Sequence, residues 1–586
     1  MKHKSWIALL AIGPALLLAD QRTICPFLPA VSKASLYHQL SVTTEAVAPS
    51  RHRAVAPPKS TFPPAVNFID TEIFNKMRQD GVVPTVVSGD EEFLRRITLD
   101  LTGQIPDAAT VQSFLADTTA DKRARKIDQL LASDAFVDRW TMWFGDLVQN
   151  VQVASNFREY YLGRNVYYNF IHDSIKNAKP YDQMVRELIS GRGDSFAVGT
   201  ADFWVRQIQT NGPIQDTYDN LAAQSGEKFL GMPFLCLSCH SGLGHLELVN
   251  TYLKSKTRYD FWAEAAFFAR TRAQRMPYTD PANPNANLVK FDVEDSLPNG
   301  QYQLNTTSGN KTPRQPVNGD VNVPPAFLLT GEAPRSGEVW RDALGRTLTS
   351  HPQFSRAAVN YLWKEMFGMA LVEPVNNMDL NKLDSQPTHP NLLTQLTNEF
   401  IADRYDLRAI LRTLALSNSY QLSTQYTPGA WNEAWTPYFA RHLAHRLMAE
   451  ELLDAITRAT NVPVTFNVNG LGMVTAAMKL PDTTEAGRNN YGRFLDEFGR
   501  GDRDDTARTS DTSIAQSLSL MNDPQVVVNR IHRNTANSTV AKVLASTTDS
   551  ASIADQIYMA TLSRHPSATE KQQAIAYLGG GNLGQR

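Results

Sequence analysis

Residues 88–101 read SGDEEFLRRITLDL, and their spacing predicts an amphipathic helix. Ser88 and Glu91 offer the two side chains of a capping box at the helix start. The apolar positions that follow recur at intervals of three and four residues, which places them on one helical face. These positions are Phe93, Leu94, Ile97 and Leu101. This stretch therefore favours a helical fold, with one face directed into a core.

The same periodicity continues outward in both directions along the chain. It recurs at residues 127–131, 136–148, 160–190 with a break at Pro180, 354–366, 392–401, 407–416, 443–456 and 514–521. Residues 277–345 are instead crowded with proline, glycine and asparagine, which predicts loops and a short β-hairpin. A charged loop is predicted at 499–511, GRGDRDDTARTSD. The predicted fold is therefore mainly α, with two helical domains joined by a loop-rich segment with minor β-hairpin content.

The length of 586 residues exceeds what one hydrophobic core usually organises, so two large domains are expected. We divide the chain into a signal peptide (1–19), a flexible linker (20–65), an N-terminal helical domain (66–276), a loop-rich connector (277–345) and a second helical domain (346–586). The linker assignment depends on prolines scattered among alanine, serine and threonine.

The N-terminus has the pattern of an export signal. Lys2 and Lys4 precede an almost wholly apolar run at residues 6–19, WIALLAIGPALLLA. This run has the length of a signal-peptide core and is short for a membrane span. Cleavage after Ala19 is one expectation, and an uncleaved N-terminal membrane anchor is the alternative. Either way, we expect a periplasmic or extracellular protein.

The formal net charge of −2 provides no basic surplus for a nucleic-acid backbone, so no nucleic-acid partner is expected. No nucleophile with an identifiable base, no phosphate loop and no pair of catalytic carboxylates stands out in the sequence. A hydrolase site is therefore not recognised, and an oxidoreductase component is the class of enzyme left open.

The strongest chemical signal is the run Cys236-Leu237-Ser238-Cys239-His240. Two cysteines three residues apart can add their sulfurs to the two vinyl groups of one haem, and the adjacent histidine can ligate the iron. Haem c is attached outside the cytoplasm, which agrees with the export signal. The motif predicts one covalent haem c, held by Cys236 and Cys239, with His240 as the proximal iron ligand.

Three other uses of the cysteine pair stay open. A zinc site could combine Cys236 and Cys239 with His240 and His245. A redox dithiol would want a βαβ context, which is not evident in the sequence. A short-range structural disulfide between Cys236 and Cys239 is the third possibility. The sixth haem ligand is also open, with His245 and Met232 as the candidates nearest in sequence.

The remaining histidines favour structural roles. His351 and His389 each precede a proline at a predicted helix start, which is typical of turns and caps. His442 and His445 lie three apart on a predicted helix and could both bind a metal, but no matching carboxylate motif accompanies them. We interpret this pair as part of a solvated helix face.

Four stretches resemble the planctomycete-type cytochrome C domain of unknown function, over residues 67–275. They are EEFLRRITLDLTGQIPDAATVQSFLAD (91–117), KIDQLLASDAFVDRWTMWFGDL (126–147), KPYDQMVRELISGRGDSF (179–196) and KFLGMPFLCLSCHSG (228–242). The later part resembles the usual companion domain of unknown function. Its matching stretches include HPQFSRAAVNYLWKEMFGMALVEPVNNM (351–378), RLMAEELLDAI (446–456), SIAQSLSLMNDP (513–524) and IYMATLSRHPSATE (557–570).

The resemblance implies an exported bacterial haem or redox protein linked to the processing of complex extracellular material. Family members often continue the motif as histidine-aspartate-histidine-proline, whereas this chain reads His240-Ser241-Gly242-Leu243-Gly244-His245. We therefore expect an exported one-electron transfer protein with an exported redox partner protein. The alternative is an extracytoplasmic binding or scaffold protein for a polysaccharide or an enzyme partner, in which Cys236 and Cys239 form a structural disulfide.

Overall fold

Helices form most of the structure, as the sequence predicts, and β-structure is limited to small antiparallel sheets. The computed structural model describes residues 32–47, 62–152, 160–304, 311–427, 429–483, 490–504, 506–532 and 534–580. The predicted signal peptide, residues 1–19, lies outside the described residues. In the part of the chain that is described, no helix has the length and apolar character needed to cross a membrane.

The helices of the N-terminal half are α1 (Lys33–Val47), α2 (Phe68–Asp80), α3 (Asp90–Thr102), α4 (Ala108–Ala116), α5 (Lys122–Leu131), α6 (Asp134–Leu147), α7 (Tyr161–Lys176), α8 (Tyr181–Ser190), α9 (Asp202–Val205), α10 (Ile214–Leu230), α11 (Thr251–Lys254) and α12 (Arg258–Ala265). Short 3₁₀ helices lie at Gly199–Ala201, Phe234–Ser238 and Ala266–Phe268. Each helix predicted in this half is present, including the break at Pro180 between α7 and α8.

The helices of the C-terminal half are α13 (Trp340–Ser350), α14 (Pro352–Phe367), α15 (Pro390–Ala402), α16 (Leu407–Leu416), α17 (Asn418–Gln421), α18 (Ala449–Thr460), α19 (Asn490–Glu497), α20 (Ile514–Asn522), α21 (Asn529–Ile531), α22 (Thr539–Ser546), α23 (Ser550–Leu562) and α24 (Ala568–Gly579). This half also contains 3₁₀ helices at Glu433–Tyr438 and Ala477–Lys479 and a π-helical turn at Pro524–Val528. The helix predicted at 443–456 begins six residues later, at Ala449.

The strands are β1 (Gly193–Asp194), β2 (Arg272–Asp280), β3 (Asn283–Glu294), β4 (Tyr302–Gln303), β5 (Asn322–Val323), β6 (Phe466–Val468) and β7 (Gly472–Val474). The β2–β3 hairpin pairs Arg272 with Glu294 at its open end and Asp280 with Asn283 at its turn. β1 adds to the other edge of β3, giving the order β1-β3-β2. The predicted hairpin is therefore confirmed, and it starts before the connector boundary at residue 277.

One hydrophobic core runs through both sequence halves. Phe74 and Trp140 from the N-terminal half and Trp363 and Leu411 from the C-terminal half belong to the same buried cluster. α8 packs against α13, and α10 packs against α14. The two halves are therefore joined by shared apolar burial, and the connector does not separate two independent cores.

A second core lies beside the first and is built mainly from the C-terminal half. Leu453, Phe466, Phe494 and Val526 form it, and Met142 of α6 is the residue that the N-terminal half contributes. α18 and the short β6–β7 hairpin both contribute residues to this cluster. The C-terminal half thus contributes to both cores.

α1 corrects the prediction of a flexible linker over residues 20–65. The Trp431 Nε1–H donates to Ser41 Oγ at 3.0 Å, and Arg441 pairs with Glu45 at 2.6 Å. The Arg441 guanidinium also stacks on the Trp431 ring at 3.8 Å. These contacts come from residues about 390 positions away, so the local sequence gives no signal for them. The linker prediction is therefore wrong for residues 33–47.

The charged loop at 499–511 is fixed by partly buried ion pairs. Arg503 and Arg508 both pair with Asp146, and Arg508 also pairs with Glu450 at 2.7 Å. Within the loop, the backbone N–H groups of residues 504 and 506 donate to the Asp502 carboxylate. The predicted loop is present, and two of its arginines anchor it to the end of α6.

Candidate functional site

The cysteine pair follows a tight turn at the end of α10. Gly231 caps this helix with a φ of 61°, a conformation that favours glycine. The next residues turn back, and Phe234 packs so closely on Gly226 that a Cβ there would lie 2.2 Å from the ring. The 3₁₀ helix Phe234–Ser238 is therefore held directly against α10, which fixes the position of Cys236.

The two thiols differ in exposure. Cys236 is only 4% exposed and belongs to the main hydrophobic core, whereas Cys239 is partly exposed. Cys239 Sγ lies 3.6 Å from Ser238 Oγ. No disulfide joins Cys236 to Cys239 within the described residues. The structural-disulfide interpretation of this pair therefore has no support in this conformation.

His240 lies at the protein surface and stacks on a second imidazole. The His240 and His245 ring centroids are 3.8 Å apart, with an interplanar angle of 26°. His240 Nδ1 is 3.4 Å from the Ser241 carbonyl oxygen. Partial burial, with further effects of His245 and Arg258, lowers the pKa of His240 below its ordinary value. The neutral imidazole, which is the metal-binding form, is therefore favoured.

A close backbone approach holds the loop that carries His245. A Cβ on Gly242 would lie 2.0 Å from the carbonyl oxygen of Leu253, so only glycine fits there. The Gly242 N–H donates to the Lys256 carbonyl at 2.9 Å, and the Leu246 N–H donates to the Gly242 carbonyl at 2.8 Å. The position of His245 beside His240 is thus fixed by backbone packing on α11 and the residues after it.

Two cations lie against the cysteine turn. Arg258 Nε donates to the Ser238 carbonyl at 2.9 Å, and Lys311 Nζ donates to Ser238 Oγ at 3.4 Å. Arg258 also donates to the Pro313 carbonyl at 2.9 Å and packs over the Trp262 ring. Burial lowers the pKa of both cations, since it disfavours their charged forms. The surroundings of Cys239 are therefore electropositive.

A buried ionic cluster ties the connector to α10 behind these cations. Arg314 Nη2 pairs with Asp216 and Asp219, at 2.6 Å each, and its Nε donates to the Tyr302 hydroxyl at 2.8 Å. Tyr302 in turn donates to Asp219 at 2.6 Å. Arg314 has no exposed surface. This cluster positions residues 311–313 beside the cysteine turn.

Two family matches cover most of the chain. Residues 68–273 match the family described as Protein of unknown function (DUF1549), PSCyt2, and residues 341–578 match the family described as Protein of unknown function (DUF1553), PSD1. These two matches are consistent with the planctomycete-type pair of domains of unknown function. Comparison with curated proteins and with solved structures gives no significant match.

The cysteine turn, Asp216 and Asp219 lie within the DUF1549 match, whereas the cations Lys311 and Arg314 come from outside it. Lys311 and Arg314 lie between the two matched segments, at 274–340. The DUF1553 match also contacts the turn, because the Met378 N–H donates to the Gly231 carbonyl at 2.8 Å. The candidate site is therefore assembled by all three parts of the chain.

Neither predicted sixth ligand lies opposite His240 in this conformation. Met232 has no exposed surface and packs in the main core. His245 stacks on the ring face of His240, an arrangement in which the two imidazoles would not hold one metal ion between them. Cys236, Cys239 and His240 have the sequence spacing of a haem c attachment motif, but Cys236 is buried, so Cys236 and any sixth protein ligand would have to move to meet a haem.

The residues that the structure describes form no assembled zinc site. No group of three or more histidine, cysteine, aspartate or glutamate side chains in the described ranges is placed to hold a metal ion. Cys236, Cys239, His240 and His245 are thus neighbours in sequence without forming a tetrahedral set.

The other histidines follow their predicted roles only in part. His351 Nδ1 accepts from the Gln353 N–H at 3.1 Å and caps α14, as expected. His389 precedes α15 but is buried, and its side chain makes no capping bond. His442 corrects the prediction of a solvated helix face, because it is buried in an extended segment before α18. Burial lowers the pKa of His442, so its imidazole is neutral.

Proposed function

We propose that the protein carries one covalent haem c, bound through Cys236 and Cys239 with His240 as the proximal iron ligand. The observation that supports this is the placement of the donor set. The two thiols and the imidazole lie on one turn, which reaches the surface at Cys239 and His240, and no disulfide joins Cys236 to Cys239 in the described structure. A bound haem would supply one-electron redox chemistry, and the partner would be an exported redox protein.

The residues around the turn suit an anionic, largely apolar group. Lys311 and Arg258 provide positive charge next to Ser238, which favours the carboxylate substituents of a haem. The partly buried Leu235, which packs against the main core, provides apolar surface on the turn. The neutral form of His240 leaves a ring nitrogen for the iron.

Two changes in the chain would accompany haem attachment. His240 would offer a ring nitrogen in the plane of its imidazole, whereas His245 stacks on the face of that ring, so His245 would at most shift to make room for a haem. Cys236 would leave its buried position, since a thioether forms only where the thiol meets the vinyl carbon. Each thiol adds across one vinyl double bond, and its proton goes to the second vinyl carbon.

The proposal places the protein in the periplasm or outside the cell, with membrane association if the N-terminus is not cleaved. The test is production of the full chain with its own leader in a host that has the cytochrome c maturation machinery. We expect an intact mass increased by one haem and a c-type pyridine haemochrome spectrum. Cys236→Ser and Cys239→Ser should each lose a thioether, and the double variant should lose the haem. Cys25→Ser, which removes the third cysteine of the sequence, is the matched control and should keep the haem.

A folded, colourless protein without added porphyrin mass would refute the haem proposal. That result would favour the alternative, an extracytoplasmic binding or scaffold protein for a polysaccharide or an enzyme partner. Helical circular dichroism of the same sample separates this outcome from misfolding, because the fold is mainly α.

A further inference from the structure

A cavity of about 480 Å³ lies beside the last turn of α10, and its lining includes no residue of the cysteine turn. It is bounded by α1, the last turn of α10, α14 and residues 373–376. Leu36, Leu147 and Val375 provide apolar walls, and the Tyr361 ring closes one side. This volume and this mainly apolar lining are typical of small-molecule sites.

Most of the charged groups that line the cavity already have partners. Lys364 pairs with Glu373 at 3.2 Å, and Lys33 Nζ donates to the Gln386 carbonyl at 3.2 Å. The Glu227 carboxylate accepts from Asn376 Nδ2 at 2.9 Å. These groups therefore contribute little net charge to the cavity.

The Asp146 carboxylate is similarly neutralised, because Arg503 and Arg508 both pair with it. Burial would raise the pKa of Asp146, but Arg508 and Arg503 lower it below its ordinary value. Because Arg508 also pairs with Glu450, two arginines meet two carboxylates, and this end of the cavity carries no net charge.

Lys228 is the exception among the lining cations. Its ammonium has no hydrogen-bond or ion-pair partner in the described structure, although it lies in the last turn of α10 at the cavity wall. Burial lowers the pKa of Lys228 to about 8, while the neighbouring Glu227 acts in the opposite direction. A partly buried cation without a hydrogen-bond or ion-pair partner gains free energy from an anion placed beside it.

We propose that this cavity binds a small organic carboxylate, with the carboxylate paired to Lys228 and the apolar part against Leu36, Leu147 and Val375. The Lys228 ammonium, which has no hydrogen-bond or ion-pair partner among the described residues, favours an anion, and the apolar walls favour a carbon skeleton over an inorganic ion. This site is separate from the proposed haem site, so the two proposals can fail independently.

Benzoate is the probe for a carboxylate with an apolar body, and inorganic phosphate is the comparison anion. Calorimetric titration of the full-length protein should show benzoate binding that Lys228→Met weakens about tenfold or more, because a charge-assisted hydrogen bond is lost. Lys364→Met is the matched control. It removes a paired lysine from the same cavity and should change the affinity much less.

A second readout does not depend on a variant. After reductive ¹³C-methylation, the NMR signal of Lys228 should titrate near pH 8 and move to higher pH when benzoate is added, because a bound anion stabilises the ammonium. Lys228→Met serves here only to assign the signal.

An unchanged Lys228 midpoint with benzoate would overturn the proposal, as would equal benzoate affinity in wild type and a folded Lys228→Met variant. Binding of phosphate at least as strong as benzoate would also overturn it, because the apolar walls would then have no role. A further contrary result would be an imine between Lys228 and an added aldehyde without any carboxylate binding. Lys228 would then act as a nucleophile, and the proposed ion pair with a carboxylate would be wrong.

Discussion

Glu264→Gln should remove part of the pH dependence of the free energy of unfolding. Glu264 lies in α12 with no exposed surface. Its Oε2 accepts from the Leu328 N–H at 2.8 Å, and its Oε1 has no partner among the described residues. Burial raises the pKa of Glu264 from 4.5 to about 8, against a smaller opposing effect of the Leu328 N–H. The folded protein therefore holds a neutral carboxylic acid at neutral pH.

The magnitude follows from proton linkage. Below pH 4.5, both the folded and unfolded states bind the Glu264 proton. In this range the group does not change the free energy of unfolding with pH. As pH rises from 4.5 to 8, the unfolded chain loses this proton while the folded chain keeps it. The free energy of unfolding should fall by roughly 3 to 4 kcal/mol between pH 5 and pH 8 from this group. Above pH 8 both states are ionised and the loss levels off.

Glutamine keeps the oxygen that accepts from Leu328 but does not titrate. We expect the free energy of unfolding of Glu264→Gln, relative to wild type, to increase by roughly 3 to 4 kcal/mol from pH 5 to pH 8. Urea unfolding followed by tryptophan fluorescence at several pH values gives this difference. Glu338→Gln is the matched control. Arg346 lowers the pKa of Glu338 to about 2, so the effect of this variant should not change between pH 5 and pH 8.

Parallel pH dependences for wild type and Glu264→Gln would refute this reasoning. They would mean that the Glu264 carboxyl ionises in the folded state at its ordinary pKa. An offset between the curves that is constant with pH would have a different origin, since the amide nitrogen brings a buried donor that lacks an acceptor.

Two further substitutions test the packing that supports the cysteine turn. Gly242→Ala should destabilise the protein by about 1 to 3 kcal/mol, because its Cβ would meet the backbone oxygen of Leu253. Gly89→Ala is the comparison in the same urea assay, because a Cβ on residue 89 would meet no other atom. Arg314→Met should cost about 3 to 5 kcal/mol, because two buried aspartates lose their partner. The exposed Arg272→Met should change the urea midpoint little, and equal effects of the two arginine variants would contradict the buried-pair argument.

Hydrophobic periodicity predicts a helix when the residues of its buried face repeat at regular spacing along the sequence. α3 and α6 begin and end close to their predicted bounds, because their buried residues repeat at helical spacing. The predicted capping box does not form, since the helix starts after Gly89 and no side chain caps it. α1 could not be predicted, because its partners Trp431 and Arg441 are distant in sequence.

The same limit applies to the candidate site. The motif of Cys236, Cys239 and His240 is contiguous, so its spacing is readable in the sequence. Arg314 is an isolated arginine in a proline-rich loop, and nothing in its surroundings indicates that it is buried between two aspartates. Lys228 has the usual pattern of a lysine near a helix end, and only the assembled cavity shows that it lacks a partner.

The position of Cys236 bears on when a haem could be attached. The turn before it is held by the C-terminal half, since Gln353 Nε2 donates to the Leu230 carbonyl at 2.6 Å and the Met378 N–H donates to the Gly231 carbonyl. With these bonds formed, Cys236 is 4% exposed. If the proposed haem is attached, the Cys236 thioether should therefore form before the two halves pack together. Consistent with this order, alkylation of Cys236 in folded, haem-free protein should be much slower than alkylation of Cys239, and the two rates should converge in urea. Equal rates in the folded protein would remove the physical basis for attachment before packing.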